Sequence, residues 1–159
     1  MRLEIPDVLR REHRELHLRL QSATVLTSPV GEAARQLTQI LQPHLLREEQ
    51  FVFPLLSLLP HLAVGRIGPD MAVAVPIAER LRAEMPRLRE EHVAMFGALE
   101  AFAEAAREEK REDYRRLAYD LIEHSRMEEA IVYPAAMVVG DYVRLSLEKN
   151  APEKLVAGS

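Results

Sequence analysis

Eleven residues from His44 to Pro54 recur from His124 to Pro134, and this repetition constrains the fold of the chain more than any other feature. HLLREEQFVFP and HSRMEEAIVYP share their leading His, two successive Glu, a Val and the closing Pro. Upstream, Arg10-Arg11-Glu12-His13 matches Arg89-Glu90-Glu91-His92. Each half therefore reads as one helix bearing a His, a gap of similar length, and a second helix bearing His-x-x-x-Glu-Glu and then Pro. Two helix hairpins related by a pseudo-twofold satisfy this order.

Apolar residues recur at spacings of three and four along most of the chain, and the alternation of half-buried strands is scarcely seen. The expectation is an all-α protein. A first helix runs from Val8 to about Leu26, introduced by Pro6 and Asp7, and Thr27-Ser28-Pro29-Val30-Gly31 forms a turn. A second spans about Glu32 to Leu59 with Pro43 and Pro54 inside it, each removing a backbone hydrogen bond and inviting a kink. Residues 60–75 form a long connection. A third helix covers about Pro76 to Lys110, interrupted or bent near Pro86, and a fourth covers Tyr114 to Val139, ended by Gly140-Asp141. Residues 142–149 add a short C-terminal helix. These elements predict an up-down-up-down four-helix bundle occupying residues 1–150 as one domain, with 151–159 as a flexible tail.

The repeated spacing carries chemistry. Residues i and i+4 share a helix face, so His44 with Glu48 and His124 with Glu128 address one point each. Antiparallel pairing brings His13 towards His44 and His92 towards His124. Four imidazoles and two carboxylates buried as free groups would lose their hydration at great cost, and coordination of metal removes that cost. Six donors exceed what one open zinc site needs, whereas two cations bridged by Glu48 and Glu128 use them all. Imidazole with carboxylate suits iron, ahead of manganese or zinc.

His17, four residues after His13 on the same face, is either a fifth nitrogen donor or an ordinary amphipathic residue; the ligand set taken here includes it. Its counterpart in the second half is Phe96. With His17 bound, one metal takes His13, His17 and His44, and the other, held by His92 and His124, keeps an open position for a small ligand. Glu49 and Glu129 read as solvated or supporting residues, Phe53 and Tyr133 as core, and His61 as a loop residue facing solvent.

Composition closes other routes. With no Cys among the 159 residues, thiolate-ligated centres and disulfides are excluded. A net charge of −4 offers no footprint for nucleic acid. The start, rich in charges, is not a signal peptide, and the stretch around Leu55 to Val64 is too short for a membrane span, so a cytoplasmic protein without a membrane partner is expected.

The set His13, His44-x-x-x-Glu48, His92 and His124-x-x-x-Glu128 resembles the hemerythrin-like, or HHE cation-binding, family over about residues 8 to 140. That resemblance implies a four-helix bundle around a non-haem di-iron centre with two bridging carboxylates. It also implies a diatomic partner such as oxygen or nitric oxide, or peroxide, in carrying, sensing, stress response, iron-centre repair or iron-dependent regulation. Oxygen carriers of the family place His-x-x-x-His on the third helix and an Asp after the last His. Here His92 is followed by Phe96 and the last carboxylate is Glu128, so a binding or sensing protein is expected rather than a simple carrier. The alternative is a di-iron oxidoreductase that consumes peroxide or nitric oxide. No separate catalytic residue is assigned.

Overall fold

The structure is a computed structural model and describes residues 1–149; the tail expected at 151–159 lies outside the described residues. Its elements are α1 (Asp7–Thr24), α2 (Pro29–Phe51), α3 (Phe53–Leu56), α4 (Leu59–Leu62), a 3-10 turn (Pro69–Val73), α5 (Ala74–Glu108), α6 (Glu112–Met127), a π-helical segment (Glu128–Val132) and α7 (Tyr133–Lys149). Among the described residues there is no strand. The four rods of the bundle are α1, α2, α5 and the run α6-π-α7, and the neighbours α1·α2, α2·α5, α5·α6 and α1·α6 close it.

Several boundaries differ from the sequence reading. Pro43 and Pro86 stay inside uninterrupted helices, whereas α2 stops at Phe51, one residue short of a break at Val52. Pro54 has no N–H to continue the ladder, and the chain restarts as the single turns α3 and α4. Its repeat mate Pro134 acts differently. There the helix widens by one residue, and the Tyr133 N–H bonds the Glu128 carbonyl five positions back. Nor does Gly140 end the last helix, which runs on to Lys149, so the separate short C-terminal helix is corrected to a continuation of α7. A Cβ on Gly140 would lie 2.1 Å from the Ala78 Cβ, so glycine is needed here for the close approach of α5 and α7.

The ends are tied by side chains. α5 closes in a Schellman arrangement, with Lys110 at φ 57 and the Arg111 N–H on the Ala106 carbonyl at 2.8 Å. Next to it, Glu109 accepts from the Ser28 hydroxyl at 2.8 Å and from the Val30 N–H at 2.9 Å. One carboxylate from the end of α5 thus satisfies the open start of α2.

The apolar interior is divided in two. One core gathers Leu16, Leu20, Leu37, Leu41, Met95, Leu99, Phe102 and Leu117. The other gathers Val52, Phe53, Leu55, Leu81, Leu88, Val132, Tyr133 and Val139. On every rod the predicted ligands fall between the two sets: His13 just before Leu16, His44 and Glu48 between Leu41 and Val52, His92 between Leu88 and Met95, and His124 and Glu128 between Leu121 and Val132. A polar layer is clamped between two apolar ones, with apolar packing holding its walls in place.

One window within Glu112–Lys149 is long and apolar enough to cross a membrane, with mean hydropathy 1.3 over 18 residues. The same run places His124, Glu128 and Tyr133 in the bundle interior and leaves Ile131, Val138, Tyr142 and Leu145 exposed.

Candidate metal centre

His13, His44, Glu48, His92, His124 and Glu128 are each no more than 8% exposed and converge in this polar layer. Their donor atoms form two groups. His44, Glu48, His92 and Glu128 form one, His13, His124 and Glu128 the other, and Glu128 belongs to both. The His44 Nε2 lies 3.4 Å from Glu48 Oε1, the His92 Nε2 lies 3.4 Å from Glu128 Oε2, and the His124 Nε2 lies 2.7 Å from Glu128 Oε1. The His13 Nε2 stands 3.5 Å from an oxygen of each carboxylate, so Glu48 borders the second group as well.

The pairing of histidines corrects the sequence reading, which matched them within hairpins. The partners come from opposite hairpins, His44 with His92 and His13 with His124. The reason lies in the bundle order, since α2 packs along α5 and α1 along α6. His17 belongs to neither group; it is half-buried and lines a pocket between α1 and α2. His61, in α4, is also outside both groups and lies near Arg66.

The outer nitrogens explain why the inner ones are free. Nδ1 of His44 donates to Glu91 at 3.1 Å, Nδ1 of His92 to Glu129 at 2.8 Å and Nδ1 of His124 to Glu12 at 3.2 Å. Glu91 is itself held by Arg47 at 2.9 Å and Arg87 at 3.3 Å. An ionised carboxylate only accepts, so it draws a proton to Nδ1, and in the neutral ring this leaves the lone pair on Nε2. Carboxylate-oriented imidazoles of this kind are the usual surroundings of a metal. The His44 and His92 Nε2 atoms approach to 3.0 Å, a separation that a proton on one ring, or a cation beside both, can bridge. Glu48 Oε2 and His124 Nε2 are buried without any well-directed hydrogen bond. The donor set and these orphaned atoms fit bound metal.

Electrostatics inside the layer point the same way. Burial raises the Glu48 carboxyl above its usual range and the charge of Glu128 adds to this, while His44 and His13 only partly offset it. Glu128 is buried too, yet the imidazoles of His124, His13 and His92 that face it hold it well below that range. Burial would depress His124, but Glu128, Glu12 and Glu48 outweigh it and push its pKa up to about 9. His44 follows the same balance, raised by Glu48 and Glu128 against its burial. The negative charge that raises these histidines would equally attract a metal cation.

Tyr133 is a site residue that the sequence reading placed only in the core. Its hydroxyl donates to Glu48 Oε1 at 2.6 Å and lies 3.3 Å from the His92 Nε2, and its ring stacks on that imidazole. Burial and the Glu48 and Glu128 charges drive its pKa far upward, so it stays a neutral donor. Phe53, its repeat mate, instead packs against His13 in a T-shaped contact with ring centroids 4.6 Å apart. The Phe-for-Tyr difference in the repeat was the available signal. Glu12 and Glu91 were likewise visible as the Glu preceding each first-helix His.

The family model described as the hemerythrin HHE cation-binding domain matches residues 4–136. The chain belongs to that family. No curated protein and no solved structure matched it. In this hemerythrin HHE domain, then, a buried His/Glu cluster that can hold metal sits where the four rods meet.

Proposed function

We propose that the chain is a cytoplasmic non-haem di-iron protein that binds or senses a diatomic ligand, oxygen or nitric oxide. The observation that carries this reading is the pair of cross-hairpin donor groups sharing Glu128, with Glu48 bordering both. His44 and His92 would hold one ion and His13 and His124 the other, with the carboxylates between them. Iron, when bound, supplies reversible electron transfer and a position open to a small ligand. Two imidazoles for each ion, with no fifth one in the cluster, leave such positions on both sides.

The protein's own contribution is orientation and exclusion. Glu91, Glu129 and Glu12 fix the faces of three imidazoles, and the two apolar cores keep bulk water from the layer. The surroundings are unequal. His44 and His92 are 1% and 0% exposed, whereas grooves of about 420 Å³ and 290 Å³ reach His124 and His13. Small molecules would approach through those grooves.

One observation favours turnover as a second reading. Tyr133 is a neutral hydrogen-bond donor buried against Glu48 and His92, the kind of group that can steady a developing negative charge in an oxidoreductase consuming peroxide or nitric oxide. Metal analysis with optical spectra of the oxidised and reduced protein tests the first reading, whose expected result is two irons per chain and bands that respond in proportion to oxygen or nitric oxide. Sustained consumption of peroxide or nitric oxide with a reductant would replace binding by catalysis. Manganese or zinc in place of iron would overturn the iron assignment.

A further inference from the structure

Three of the four inward-facing imidazoles carry a carboxylate at Nδ1, and the repeat relates these contacts to one another. Glu91 on His44 is the image of Glu12 on His124. Glu129 on His92 has as its image Glu49 on His13, and that fourth contact is not made. The His13 Nδ1 is buried without a partner, although the residue is only 2% exposed. Glu49 is half-buried, and with His13, His17, Arg10 and Arg14 it lines the pocket of about 290 Å³ between α1 and α2. A buried N–H without an acceptor is unfavourable, and a cation at the opposite ring nitrogen makes that N–H more acidic and the need greater.

Resting on the metal-centre reading, we infer that Glu49 is the positioning residue of His13: on metal binding its carboxylate crosses the pocket and accepts the Nδ1–H. The second hairpin's half of the centre is then pre-formed, and the first hairpin's half is completed by the metal. His13 becomes the most easily released of the four imidazoles, and the ion held by His13 and His124 the more labile of the two.

The test is removal of ferrous iron by excess chelator under anaerobic conditions, followed beside thermal unfolding of the metal-free protein. Wild type is expected to release iron in a fast and a slow phase. Glu49→Ala should speed the fast phase about 10- to 100-fold, in line with the usual effect of losing an orienting carboxylate. The slow phase and the metal-free unfolding midpoint should stay unchanged, because the metal-free protein lacks the contact. Glu49→Gln, whose amide oxygen also accepts, should recover part of the loss. Glu129→Ala, by contrast, should both speed release and lower the metal-free midpoint, since its bond already exists. Release from Glu49→Ala at the wild-type rate would overturn the assignment of Glu49 while leaving the metal centre standing. So would a fall in its metal-free midpoint matching that of Glu129→Ala. A wild-type protein that retains no metal would overturn both.

Discussion

His44 and His92 meet Nε2 to Nε2 at 3.0 Å, while the Nδ1 of each is held by a carboxylate, Glu91 and Glu129. With both Nδ1 protons committed to carboxylates, the two Nε2 atoms are placed to receive a shared proton or a cation. The two histidines come from different hairpins, which ties the centre to the closing of the bundle.

Glu128 belongs to both donor groups and Glu48 chiefly to one. Glu128→Ala should therefore lower metal content to near zero, whereas His44→Ala and His124→Ala should each leave one ion. Elemental analysis on variants that keep their helical circular dichroism checks this. Equal retention by Glu128→Ala and wild type would contradict a shared carboxylate.

His17 lies outside both groups. His17→Ala should keep the metal stoichiometry and the absorption bands of wild type. Loss of one ion would restore it to the ligand set.

Tyr133→Phe removes the donor on Glu48 Oε1 and leaves the ring stacked on His92. A buried oxygen deprived of its donor costs about 1–3 kcal/mol, so the metal-free variant should melt at a lower temperature. Loaded with metal, it should recover most of that difference, because the carboxylate then has the cation. Calorimetry of both forms decides it; an equal loss with and without metal would place Tyr133 in packing alone.

Metal uptake should depend on pH in one direction. His124 is raised to about 9 by Glu128, Glu12 and Glu48 in spite of its burial. A raised histidine stabilises the metal-free fold fully below its unfolded value of about 6.5. That contribution is lost as pH rises through about 9. Metal binding needs the neutral ring, so near pH 7 it must expel this proton, and affinity should climb with pH until about 9. Titration calorimetry in buffers of different ionisation enthalpy should show proton release near neutrality and far less above that range. No release at neutrality would contradict the assignment of His124.

The clustered His and Glu residues and the four rods were legible because a helical i, i+4 pair and a duplicated segment leave marks in one dimension. Features set by tertiary approach were not. Gly140 looks like a stop in sequence, yet its role is to admit Ala78 of α5 against α7. Pro54 and Pro134 are identical letters with different outcomes, a break at Val52 and a π-helical widening at Glu128–Val132. Pairing across hairpins, which overturned the expected His13/His44 and His92/His124 sets, depended on rod order that spacing alone does not encode. The orienting carboxylates escaped notice for a similar reason, since Glu12 and Glu91 act on histidines of the opposite hairpin.

The most direct test of the central claim is iron quantification on the purified protein together with its optical spectrum, anaerobically reduced and then exposed to oxygen or nitric oxide. Two irons per chain and ligand-dependent bands that vanish in Glu128→Ala are the predicted result. A correctly folded protein, produced with ample iron, that carries no iron and shows no such bands would contradict it.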